Sequence, residues 1–296
     1  MSAACVVCGG TCLAPHLSVA RDGEGSLVAT TTAYGRAPAD IVRCLGCGHR
    51  QLEQLPDEAS LEEAYAEVSE AAYLDEEAGQ RATADQALRR IERHVPVGRL
   101  CDLGCGVGFL VSEAAGRGWE AWGVEPSRFV AELARVRLGL KVITGTLDSA
   151  ELPERHFHAV VMGDLIEHLP DPGEALERVA SLLRPRGVVY LALPDAGSAV
   201  ARRLGARWWS VLPTHVHYFT RGSLARLLSG RGFALEWMGT APKAFSVRYY
   251  LGRLAGYSPP LARGAVAMAE SVGLADRLVR PDFRDRMAVV ARWRGP

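Results

Sequence analysis

The chain has 296 residues, 48% hydrophobic and 23% charged, with 34 basic side chains balancing 34 acidic ones. That is an ordinary globular composition, long enough for one large domain with attachments or two modest ones. Zero net charge without a basic stripe speaks against a nucleic-acid binder, and no apolar run reaches the ~20 residues of a membrane span.

The opening "MSAACVVCGG" has no basic segment leading into an apolar core, so no signal peptide is expected and the predicted location is cytoplasmic. Five of the seven cysteines crowd the first fifty residues. Cys5 and Cys8 are separated by two residues, and so are Cys44 and Cys47, with 35 residues between the pairs. Each pair ends in glycine, in "CVVCGG" and "CLGCGH". Two such turns can present four thiolates to one tetrahedral ion, the donor set structural zinc prefers. Four sulfurs leave no open position for a substrate, so the expected zinc is structural. Cys12 and His49 compete for the same duty and are expected just outside the site. Short strands are predicted in "SLVATTTAYG" and "ADIVRC", making residues 1–55 a zinc ribbon that needs its metal to fold.

Residues 56–81 are acidic and rich in helix formers, which predicts a helical linker with Tyr65 and Tyr73 on its apolar side. "RATADQALRRIERHVPVG" continues with a helical stripe that Pro96 and Gly98 end. From there buried strands alternate with amphipathic helices, beginning with "RLCDLG" and "GFLVSEAAGRG" and running to a last strand, "RMAVVARW". This alternation predicts an α/β, doubly wound, largely parallel sheet over residues 82–296. Residues 241–283 break the rhythm and are expected to form a helical insertion between the last two strands.

The first strand of such a sheet delivers its glycine turn to the ligand crevice. Here the turn is "LCDLGCGVGFLV", with Asp102, Gly104, Gly106 and Gly108. A dinucleotide fingerprint needs a small residue where Phe109 stands. At the end of the next strand, "WGVEPS" sets Glu125 21 residues after Gly104. A carboxylate there can accept from both hydroxyls of a ribose. "DLGCGVG", "VEPS", "GTLDSAELP", "VVMGDLIEHLPDP" and "LLRPRGVVYLALP", in that order, resemble the class I S-adenosylmethionine (SAM)-dependent methyltransferases over roughly residues 82–240. The resemblance implies a Rossmann-like seven-stranded sheet whose last two strands are antiparallel. It also implies that Asp102 belongs to the cofactor-binding turn, that Gly104, Cys105 and Gly106 pass under the methionine part of SAM, and that Glu125, beside Pro126, holds the ribose. Thr146 and Leu147 would border adenine, with Met162, Gly163 and Asp164 beneath the sulfonium. His158 and Arg186 depart from the pattern, standing where the family most often has aspartate and glycine.

Cysteine knuckles ahead of a SAM domain resemble bacterial sugar C-methyltransferases that act on nucleotide-activated deoxysugars, whose large carboxyl-terminal domain has no counterpart in this chain. Their Y-H-E-H-F segment is matched by "THVHYF" at both histidines only, His215 and His217. An extended segment would set both imidazoles on one face, and either can serve as general base, His217 first. A structural role for the same segment is the competing reading, with Thr220 capping the following helix. The function expected is SAM-dependent methylation, at oxygen or carbon, of a small molecule such as a nucleotide sugar or natural-product intermediate. The alternatives are an RNA methyltransferase with a zinc module and an inactive SAM-binding interaction protein. Expected partners are a small-molecule acceptor, with neither nucleic acid nor membrane.

Overall fold

The computed structural model describes residues 4–20, 33–56, 61 and 76–295. Residues 26–32 of the strand expected in "SLVATTTAYG" and most of the linker helix, with Tyr65 and Tyr73, fall outside the described residues; the described end of that segment, residues 33–35, forms a turn rather than a strand.

Three short strands come first, β1 (Leu13–Leu17), β2 (Ile41–Cys44) and β3 (Arg50–Leu52). Helix α1 (Glu77–Ile91) leads into the alternating core: β4 (Arg99–Leu103), α2 (Phe109–Gly116), β5 (Glu120–Glu125), α3 (Arg128–Leu138), β6 (Val142–Thr144) and β7 (Phe157–Gly163). The chain continues through α4 (Pro172–Leu182), β8 (Leu183–Pro194), α5 (Ala199–Leu204), β9 (His217–Tyr218), α6 (Arg221–Gly230) and β10 (Phe233–Thr240). Between β10 and the last strand lie β11 (Phe245–Ser246), α7 (Val247–Gly252), a 3-10 turn over Arg253–Gly256, α8 (Pro259–Ser271) and β12 (Leu278–Val279). The last strand is β13 (Arg286–Trp293). Among the described residues no helix is long and apolar enough to cross a membrane.

The seven-stranded Rossmann-like sheet read from the sequence is present, in the order β10-β13-β8-β7-β4-β5-β6. Strands β4 to β8 pair in parallel. The last two, β10 and β13, pair antiparallel, and β13 is also antiparallel to β8. Strand alternation divides the core between two faces. Val160, Met162, Val189, Leu191, Met287 and Val289 pack on one side with Leu176, Val179, Leu224 and Leu227 of α4 and α6. Ala159, Val161, Val188, Tyr190, Ala288 and Val290 pack on the other with Leu88 and Ile91 of α1 and Ala114 of α2. Helix starts follow local chemistry: Ser127 caps α3, Asp171 caps α4, and Thr220 with Ser223 forms a capping box on α6. Arg186 has φ +64°, a left-handed conformation that accounts for the glycine usual at that position.

One pairing crosses the boundary drawn at residue 55. The amino-terminal strands form a four-stranded sheet in the order β1-β2-β3-β9, and β9 comes from the "THVHYF" segment. Arg50 pairs with Tyr218 and Gln51 with His217. Sequence spacing gave no sign of this contact.

Candidate active site

The four cysteines of the two knuckles converge. The Sγ atoms of Cys5, Cys8, Cys44 and Cys47 all lie within 4.8 Å of one another. Cys5 stands 3.5 Å from Cys47 and Cys8 3.6 Å from Cys44. The knuckles repeat one design: Gly9 N donates to Cys5 O and Gly48 N to Cys44 O, both glycines having positive φ. Cys12 is exposed and His49 fully buried, and neither joins the four thiols. The donor set and spacing fit a closed tetrahedral zinc site.

The carboxyl ends of β4, β5 and β7 open on a cavity of about 1460 Å³. Asp102, Gly104, Cys105, Gly106, Glu125, Pro126, Thr146, Leu147, Gly163 and Asp164 all line it. Met162 does not: its side chain is fully buried in the core, because alternation along β7 turns Val161 and Gly163 toward the cavity instead. Glu125 accepts from Gly106 N and Ser127 N, both at 2.9 Å, so one carboxylate joins the glycine turn to the start of α3. Burial raises the Glu125 carboxyl, and these two N–H groups oppose the rise. Asp102 is pushed up to about 8 by burial and by the charge of Glu125. A Cβ added at Gly106 or Gly163 would meet no protein atom within 4 Å and would enter the cavity. Bare backbone facing open space beside a ribose-type acceptor fits a nucleoside such as that of SAM.

Asp164 faces this cradle in a left-handed conformation, φ +53°. It forms ion pairs with Lys243 and Arg286. Burial alone would raise its carboxyl, but the two cations hold it well below the usual carboxylate range. The insertion and the last strand therefore supply charges that the central motifs gave no hint of.

The two histidines of "THVHYF" part company. His215 lines the cavity beside His168, their ring centroids 4.5 Å apart. His217 is outside it. Its Nε2 donates to the Pro170 carbonyl at 3.2 Å, and its Nδ1 lies 3.5 Å from His49 Nε2. Both ring nitrogens are thus occupied within the protein. The shared face expected for the pair fails because residues 213 and 214 form a turn, with His215 N bonded to Leu212 O, and extended backbone begins only at His217. Burial pushes His217 and His168 down to about 4, and holds His215 well below the usual imidazole range.

Glu167 is a site residue that the sequence reading missed. It is 1% exposed, and neither carboxylate oxygen has a hydrogen-bond partner. Burial and the charge of Asp164 raise it to about 8. One ligand atom each from Glu167, His168 and His215 lies within 4.8 Å of the others, a spacing that would also suit a cation. The "EH" pair was visible in sequence, but its approach to residue 215 was not.

A family model described as a methyltransferase domain matches residues 75–236. A ubiquinone biosynthesis O-methyltransferase of Stutzerimonas stutzeri is 32% identical over 111 residues, covering 34% of this chain and 47% of that protein. One of the same name from Aeromonas salmonicida is 26% identical over 170 residues, covering 52% of this chain and 71% of the relative. The match thus spans less than half the length of the first of these relatives. Among solved structures, a SAM-dependent methyltransferase of Thermotoga maritima aligns with a TM-score of 0.50 at 20% identity, over 74% of this chain and 91% of that one. The structural likeness is one of fold.

Proposed function

Because the chain belongs to the methyltransferase-domain family, the match covering residues 75–236, we propose that it transfers a methyl group from SAM to an oxygen of a small molecule, a sugar or natural-product intermediate. The observation that carries this reading is the shared cavity: the Gly104–Gly106 turn, Glu125 and His215 all line it. The names of the curated relatives favour oxygen over carbon. The sugar reading rests on the knuckle-plus-SAM-domain resemblance and on the two histidines of "THVHYF".

SAM supplies an electrophilic methyl group, so the protein's work is placement and proton removal. Glu125 and the glycine turn hold the nucleoside. A hydroxyl of the acceptor is held opposite, its lone pair forming the new C–O bond as the S–C bond breaks and sulfur keeps the electron pair. His215 takes the hydroxyl proton. It replaces His217 in that role because its ring faces the cavity, whereas His217 spends both nitrogens on Pro170 and His49. Cys5, Cys8, Cys44 and Cys47 hold one structural zinc, remote from the reaction. Such reduced thiols suit the cytoplasm.

The test is calorimetry with SAM, followed by methyl transfer to a panel of hydroxylated sugars, nucleotide sugars and phenols, with the product's methyl carbon located by NMR. A methyl on oxygen supports the proposal; one on carbon restores the C-methyltransferase reading. SAM binding without turnover on any acceptor would favour the inactive interaction protein, and transfer to RNA would overturn the small-molecule reading.

A further inference from the structure

The cavity holds three cationic side chains, Lys243, Arg253 and Arg286. Lys243 and Arg286 are both paired with Asp164. Arg253 has no ion pair among the described residues. It follows α7, and its Nη1 donates to Tyr249 Oη at 3.1 Å. Its guanidinium carbon lies 5.3 Å from the Tyr34 ring centroid and 5.8 Å from that of Tyr249. Tyr34 lines the same end of the cavity, and its buried hydroxyl sits beside the Arg253 guanidinium, placed to accept from it and to donate its own proton elsewhere.

We infer that Arg253 and the Tyr34 hydroxyl are the binding site for a single carboxylate of the acceptor, so that the small molecule methylated is an organic acid. The inference rests on the proposed methyl transfer and narrows its substrate class. Two tyrosine faces stabilise a guanidinium by cation–π attraction, but they leave most of its N–H donors without an acceptor. A planar carboxylate matches the guanidinium fork, and its remaining lone pairs can accept from a nearby hydroxyl. Charge decides between carboxylate and diphosphate. Among the described residues Arg253 is without a carboxylate partner and balances one negative charge, whereas a diphosphate would bring more charge than this end of the cavity can neutralise once Lys243 and Arg286 are offset by Asp164 and Asp285. Around the guanidinium, the rings of Tyr34 and Tyr249 offer apolar walls to the acid's carbon skeleton. Tyr34 comes from the amino-terminal module and Arg253 from the insertion, both outside the matched region 75–236. The shared domain thus binds what the family has in common, and the attached segments select the acceptor.

The test uses the full-length zinc-loaded protein with S-adenosylhomocysteine present. Binding of benzoate, glucuronate, benzamide and dTDP is followed by saturation-transfer NMR and titration up to tens of millimolar. Saturable binding of benzoate or glucuronate is expected, with the preferred one distinguishing an aromatic from a sugar acid, and with benzamide failing to compete. Arg253→Gln should weaken that binding roughly tenfold or more. Arg253→Lys should retain part of it, and Tyr34→Phe should weaken it less. Equal binding by Arg253→Gln, equal binding of benzamide, or no carboxylate binding over the whole range would overturn the inference. So would Arg253-dependent binding of dTDP in preference to both acids, which would assign the subsite to a nucleotide sugar. SAM affinity, measured by calorimetry on wild type and Arg253→Gln, should be the same. Loss of SAM binding by the wild type would instead strike the methyl-transfer reading itself.

Discussion

His49 and His217 stand 168 residues apart in sequence, yet His49 Nε2 and His217 Nδ1 lie 3.5 Å from each other in the seam between the knuckle module and the methyltransferase core. His217 Nε2 is committed as a donor to Pro170, so its Nδ1 accepts and His49 donates. The pair is sealed by Phe219, 4.7 Å from the His49 ring. His217→Ala should empty a buried ring and orphan two polar partners. The expected loss is about 2–4 kcal/mol in urea denaturation, with the rate of the folded fraction within a few-fold of wild type. A variant of unchanged stability with a hundredfold slower reaction would return His217 to the mechanism.

His215→Ala should behave in the opposite way. If His215 takes the acceptor's proton, single-turnover methyl transfer should fall by roughly 10²–10⁴-fold, while SAM affinity changes little. Recovery of the rate on adding a divalent metal would reassign Glu167, His168 and His215 to cation binding. A near-normal rate without metal would leave placement alone to account for catalysis.

Glu125 joins the glycine turn to α3 through two N–H bonds and lines the cavity. Glu125→Ala should weaken SAM by one to several orders of magnitude, since hydrogen bonds to a charged acceptor contribute about 1.5–3 kcal/mol each. Calorimetry showing unchanged affinity would refute the ribose assignment, and NAD binding by the wild type would refute the cofactor.

Metal analysis should find one zinc per chain. Cys8→Ser should lower that occupancy and the thermal midpoint together, because binding free energy at such a site contributes to folding. Protein purified without chelator that carries no zinc would end this assignment.

Asp102 sets a pH signature for the ligand-free protein. Its folded carboxyl is raised to about 8 by burial, with the charge of Glu125 adding to the rise, against about 3.9 when unfolded. Between those values the unfolded chain is ionised there and the folded one keeps its proton. This group's favourable contribution is therefore complete below pH ~4 and is lost as pH rises toward 8, at up to ~1.4 kcal/mol per pH unit. Asp102→Asn should remove that downward slope from stability measured by urea between pH 5 and 8. Parallel curves for the two proteins would mean that Asp102 is ionised in the fold.

The alternation of Val160 with Val161, and of Val289 with Val290, was enough to read the sheet, because strand period and burial are local properties. The glycine turn and Glu125 were equally legible, since backbone geometry dictates which residues can stand there. What escaped depended on distance in sequence. Nothing within "THVHYF" indicates that β3 will claim His217 as a pairing partner, and a turn at residues 213–214 was enough to send the two histidines apart. Met162 was misplaced by one step of strand alternation, a distinction that contiguous apolar residues do not encode. Glu167 and Arg253 stood in plain view, but what surrounds each of them depends on segments distant in sequence.

The strand borrowed by the amino-terminal sheet has a consequence for anyone dividing this protein. Cutting the chain at residue 55 would not release two independent pieces. The knuckle module would lose its fourth strand and leave β3 as an open edge, inviting pairing with a stranger. The remaining piece would keep β9 with its backbone partners gone, next to the turn that aims His215. Metal loss, amino-terminal truncation and damage to the acceptor pocket should therefore be felt as one event, making the thiol cluster a brace for chemistry in which none of its four sulfurs takes part.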